Sequence, residues 1–118
     1  MVVDSDALAI VRRRMRAQRL TGRSFAGAAE AVAWSGAAQA QEYAEALWSV
    51  GMRLRDGTMA DVEAACDRGE ILRTHVMRPT WHFVAAADLR WLLSRHRRRD
   101  RHRRRSAPRG GNRHEGQR

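Results

Sequence analysis

The 118-residue chain contains no lysine; each of its 23 basic residues is an arginine. That absence excludes a lysine Schiff-base mechanism. A single cysteine, Cys66, excludes an internal disulfide and a thiolate metal cluster. No apolar run approaches the roughly 18 residues of a membrane span. The opening MVVDSDALAI puts acids where a secretory signal needs positive charge. The expectation is a cytoplasmic protein, nucleoid-associated if it is bound to DNA.

Positive charge is abundant but uneven. The formal net charge is +10, yet residues 1–94 hold 12 Arg against 11 acids, while residues 95–118 hold 11 Arg against 2 acids. A basic balance points to phosphate neutralisation, but here that inference belongs mainly to the last 24 residues. The exclusive use of Arg and the wealth of alanine also fit a coding sequence rich in G and C.

Apolar spacing predicts a first helix over residues 4–20, with Leu8, Val11 and Met15 on one face. A short Ala-rich helix over 25–34 follows a Ser24 cap and ends at Ser35-Gly36. A third helix over 41–54 carries Ala44, Leu47, Trp48 and Leu54, with Trp48 expected in the core. A fourth opens on the capping box Thr58-Met59-Ala60-Asp61, buries Met59, Val62 and Cys66, and stops near Gly69. ILRTHVM and TWHFV then read as two strands around Arg78-Pro79, and a final helix covers 88–93. The fold class expected is mainly α with a small β-hairpin, a winged helix-turn-helix over residues 1–94, with residues 95–118 an Arg-rich disordered tail.

The stretches QAQEYAEALWSVGMRL and TMADVEAACDRGEILRTHVMRPTWHFVAAADLRWLL resemble the winged-helix DNA-binding family whose best understood members are AlkZ-type DNA glycosylases. The resemblance spans about residues 7–93. It rests on Gln39-Ala40-Gln41, on Leu47-Trp48 and on the RTHVMRPTWHF hairpin. It implies a tandem array of winged helices with a C-terminal β-barrel, of which this chain is an N-terminal piece. After Leu93 the pattern gives way to Arg-rich sequence, which fits a truncation or a shifted reading frame.

The resemblance makes Gln39 and Gln41 the catalytic pair, with double-stranded DNA, alkylated or crosslinked, as partner and no cofactor. The chemistry suits the residue type. A cationic N7- or N3-alkylpurine is already an activated leaving group, so the remaining tasks are to aim a water at C1′ and to stabilise a positive sugar. Residues i and i+2 diverge by about 200° on a helix, so convergence of the pair requires a loop, a strand or a helix N-terminus after Gly36. Without the resemblance, both glutamines read as solvated residues leading into a helix. The resemblance further gives Arg73, Thr74, His75, Arg78 and Thr80 as DNA contacts, against surface ion pairing as the plain alternative. His75 and His82 lack a third ligand, so no metal is expected. The runner-up function is a small transcriptional regulator with a basic C-terminal arm, which the acidic helix 58–68 argues against. The family resemblance implies monofunctional glycosidic-bond hydrolysis, while these 118 residues alone are expected to be too short for activity.

Overall fold

The computed structural model describes residues 4–22, 25–77 and 79–106. Helix α1 (Ser5–Ala17) starts where the Asp4 carboxylate accepts the Asp6 N–H at 3.1 Å, and Arg14 and Arg16 complement the dipole at its other end. None of its residues is buried. Its link to the body is polar: Arg53 donates to the Gln18 carbonyl at 3.0 Å, and the Arg19 guanidinium stands over the Trp34 ring at 5.5 Å.

Helix α2 (Ala28–Ser35) ends at Gly36, whose φ of 77° a side-chain-bearing residue would adopt only under strain. Strand β1 (Ala38–Gln39) follows, then α3 (Tyr43–Gly51) and α4 (Met59–Asp67). The capping box at α4 forms as its sequence predicts. Thr58 Oγ1 accepts the Asp61 N–H at 3.3 Å while Asp61 Oδ2 accepts the Thr58 N–H at 2.7 Å. Strands β2 (Ile71–Met77) and β3 (Thr80–Ala85) make the hairpin, and a 3-10 turn (Ala86–Asp88) leads into α5 (Leu89–Ser106).

The sheet is antiparallel in the order β1-β3-β2. Ala31, Val32, Ala46, Leu47, Val50, Val62, Ala65, Ile71 and Phe83 form the core between it and α2, α3 and α4. The mainly helical class with a small sheet is as expected, and the arrangement is compatible with a winged helix.

Three details differ from the sequence expectation. Trp48 is 58% exposed, because the buried face of α3 is made by Ala46, Leu47, Val50 and Gly51; Ala44 does not lie inward either. On α4 the buried positions are Val62 and Ala65, with Met59 at the exposed helix start. The last helix runs on to Ser106, so residues 94–106 are helical rather than tail. Arginine is a strong helix former, and the apolar start of α5 docks on β2. Residues 107–118 lie outside the described residues.

Candidate functional site

Strand β3 is the centre of the site because both neighbours register against it. Gln39 on β1 stands opposite His82, and His82 stands opposite Thr74 on β2. Directly opposed residues share a sheet face, so Gln39, His82 and Thr74 form one row. One residue along, Ala38, Phe83 and Arg73 form a row on the other face. Trp81 and His75 follow on that second face, with ring centroids 3.8 Å apart.

The glutamine doublet occupies a braced, non-helical segment. The Ala40 N–H donates to the Trp81 carbonyl at 2.8 Å, carrying the β1–β3 pairing one residue beyond the strand. The Trp81 N–H in turn donates to Gln41 Oε1 at 3.3 Å. Arg73 holds the segment from the side. Its Nε donates to the Ala40 carbonyl and a terminal nitrogen to the Gln41 carbonyl, both at 2.9 Å. The same guanidinium stands 4.8 Å from the Trp81 ring centroid and 5.8 Å from that of Tyr43. Glu42 is the N-cap residue of α3 without a side-chain capping bond. The helix begins only at Tyr43, so the divergence that helical geometry would impose on Gln39 and Gln41 does not arise. The Gln39 side chain makes no hydrogen bond to a described residue, whereas one oxygen of Gln41 is engaged.

Strand alternation divides the hairpin residues predicted to meet DNA. Arg73 and His75 lie on the Trp81 face, Thr74 on the Gln39 face. Arg78 lies outside the described residues. The Thr80 carbonyl is 3.2 Å from His75 Nδ1 and 3.1 Å from His82 Nδ1. A carbonyl oxygen only accepts, so in both contacts the imidazole donates from Nδ1. His82, 7% exposed, is the buried polar side chain of the described sheet. Sequence reasoning placed it on a strand without linking it to Gln39. That link needed β1, a two-residue strand too short to leave a periodic signal.

The other reactive side chains are poorly suited to chemistry. Burial pushes the Cys66 thiol up, and the Asp67 and Glu63 carboxylates push it further. Tyr43 is raised by burial first, then by Cys66, Glu63 and Asp67. Among the described residues no group of three His, Cys, Asp or Glu side chains is placed to hold a metal ion, and no helix is long and apolar enough to cross a membrane.

The fold is mainly helical with a small antiparallel sheet, and the braced glutamine pair lies at the edge of that sheet. The AlkZ-like DNA glycosylase family matches residues 32–118, and the chain belongs to that family. No curated protein and no solved structure matches it. The matched range takes in Gln39, Gln41, the hairpin and α5. It starts within α2, not at residue 7, and it includes the Arg-rich residues beyond Leu93.

Proposed function

We propose that the chain is a winged-helix DNA-binding piece of an AlkZ-like glycosylase and that Gln39 and Gln41 belong to its catalytic motif. The observation that carries this reading is the conformation of the doublet. Both glutamines lie in non-helical backbone, held at the sheet edge by Arg73 and by the Trp81 pairing. Preorganisation of this kind is what a water-positioning pair requires, because the donors and acceptors need no rearrangement as charge develops.

The substrate is double-stranded DNA carrying a cationic N7- or N3-alkylpurine or a crosslink through such a base. Water attacks C1′ as the C1′–N bond breaks. The bonding electrons neutralise the departing purine, and the water gives up a proton to solvent. The side-chain carbonyls of Gln39 and Gln41 orient that water and face the developing sugar cation. Gln41 contributes the lone pair left on Oε1 beside its bond to Trp81.

Helix α4 turns Glu63 and Asp67 to solvent, which opposes its entry into a major groove. Base reading by α4 is therefore no part of the proposal. The test is release of free N7-methylguanine from methylated duplex by the purified chain, set beside the Gln39→Ala/Gln41→Ala double variant. Release that depends on the two glutamines supports the catalytic reading. No release above the double variant refutes catalysis by this chain, while duplex binding measured in the same samples tests the DNA-binding reading separately.

A further inference from the structure

Residues 1–88 contain 11 Arg and 11 acids, so this part of the chain has no net excess of positive charge. Helix α5 contains nine Arg and one acid, Asp100. At 1.5 Å per residue its 18 residues extend over about 27 Å, and B-DNA presents one charge per about 1.7 Å of axis, so a duplex alongside offers roughly 16 phosphates. The helix packs on β2 and on the 3-10 turn through its first turns. Between α5 and β2 runs an open groove with two kinds of wall. Arg95, Arg98 and Arg99 line it from the helix beside Asp100, whose carboxylate stands 3.5 Å from His96 Nε2, and Met77, 47% exposed, together with Trp91, 46% exposed, supplies apolar surface. Trp91 is fixed there by donating Nε1–H to Asp88 Oδ1 at 2.9 Å.

We infer that the groove between α5 and β2 is the surface through which the chain grips the backbone of duplex DNA, with Arg95, Arg98 and Arg99 on the phosphates. Met77 and Trp91 lie against the sugars. The inference rests on the DNA-binding reading above and moves the grip from the hairpin face to α5. Arg73, the described arginine of the hairpin, already directs two donors to the Ala40 and Gln41 carbonyls. The exposed acids of α4 repel a polyanion. Charge complementarity therefore selects α5.

The test measures fluorescence anisotropy of a labelled random-sequence duplex against the full chain over a series of salt concentrations. Three proteins are compared: wild type, Arg95→Gln/Arg98→Gln/Arg99→Gln, and the equal-charge control Arg12→Gln/Arg13→Gln/Arg16→Gln on α1. Each neutralised phosphate contributes about 0.9 to the slope of log K against log salt, so the α5 variant is expected to lose about two to three in slope and the control less than about one. Glutamine keeps helix propensity close to that of arginine, and far-UV circular dichroism checks that helicity is retained. Equal losses in both variants, or an unchanged slope in the α5 variant, would overturn the inference. A second probe, Met77→Glu, places a like charge opposite the bound backbone and is expected to weaken binding about tenfold. Unchanged affinity in Met77→Glu would overturn the groove as the location. Failure of wild type to bind duplex at any salt concentration overturns the DNA-binding reading itself.

Discussion

Replacing Arg73 by Lys keeps the positive charge and removes the planar fork that reaches two carbonyls at once. The fork makes a part-buried charge-assisted bond to the carbonyl of buried Ala40 and an exposed one to the Gln41 carbonyl. A hydrogen bond to a charged group has a net worth of about 1.5–3 kcal/mol; taking the low end for the first and about 0.5 kcal/mol for the solvent-screened second gives about 2 kcal/mol. This energy holds a local segment. It should appear as easier opening of residues 38–42, with a smaller effect on global unfolding.

The Ala40 amide reports on that opening, since it is bonded to the Trp81 carbonyl at 2.8 Å and the residue is 1% exposed. At 1.4 kcal/mol per factor of ten, about 2 kcal/mol becomes roughly 30-fold faster exchange of the Ala40 amide in Arg73→Lys. Core amides of α4 should slow or quicken by no more than about threefold if the loss is local. Hydrogen exchange followed by NMR resolves both. An Ala40 amide as protected in the variant as in wild type would refute the bracing role, and with it the argument that the glutamine segment is preorganised by β2. Uniform loss across all amides would show that Arg73 supports the fold as a whole.

Three further outcomes follow from the same geometry. Gln41→Ala removes the acceptor of the Trp81 N–H, so urea unfolding should show a loss of about 0.5–1 kcal/mol, whereas Gln39→Ala, without such a bond, should leave the midpoint unchanged. A Cβ at Gly57 would collide with the Leu54 side chain down to its own Cβ, so Gly57→Ala should destabilise by about 1–3 kcal/mol in the same assay. The Asp61 carboxyl is held below its ordinary value by the Thr58 backbone N–H and then by the Thr58 hydroxyl. Its folded pKa is thus lower than its unfolded one, so the cap stabilises above the ordinary carboxylate range and loses that effect as pH falls through the depressed value. Thermal midpoints of wild type and Asp61→Asn should therefore differ at neutral pH and draw together in acid; a gap that stays constant would refute the ionic contribution.

The elements with a strong local signal were legible. The Thr58–Asp61 capping box, the glycine stops at 36 and 69, and the β-branched and aromatic residues of the hairpin each specify conformation within a few residues. What was not legible depended on partners distant in the chain. Strand β1 exists because Ala38 and Gln39 meet Phe83 and His82, more than forty residues away. Trp48 looks like core by composition, but Ala46 and Val50 bring α3 close to α2 and α4 and leave the indole outside. Charge obscured α5. Its first turn carries the apolar signal of Leu89, Leu92 and Leu93, and the arginines beyond read as a solvated tail although arginine favours helix.

The catalytic role proposed for the glutamine pair and the DNA contact inferred for α5 make different demands on the fold. A water-positioning pair needs fixed backbone, which comes from the core side through Phe83 and from Arg73 across the central strand. The phosphate grip inferred for α5 needs reach, which the helix has beyond its contacts with β2 and the 3-10 turn. Because β2 alternates as far as the irregularity in its pairing between Thr74 and Met77, Arg73 can brace the glutamine segment on one face while Leu72 and Thr74 point to the other. A one-residue slip of β2 against β3 would exchange these roles, removing the brace and carrying the Arg73 guanidinium to the face that Leu72 and Thr74 occupy. Ile71 and Phe83, each 1% exposed or less, therefore anchor the register pairs Ile71–Ala85 and Arg73–Phe83 that set Arg73 beside the glutamines.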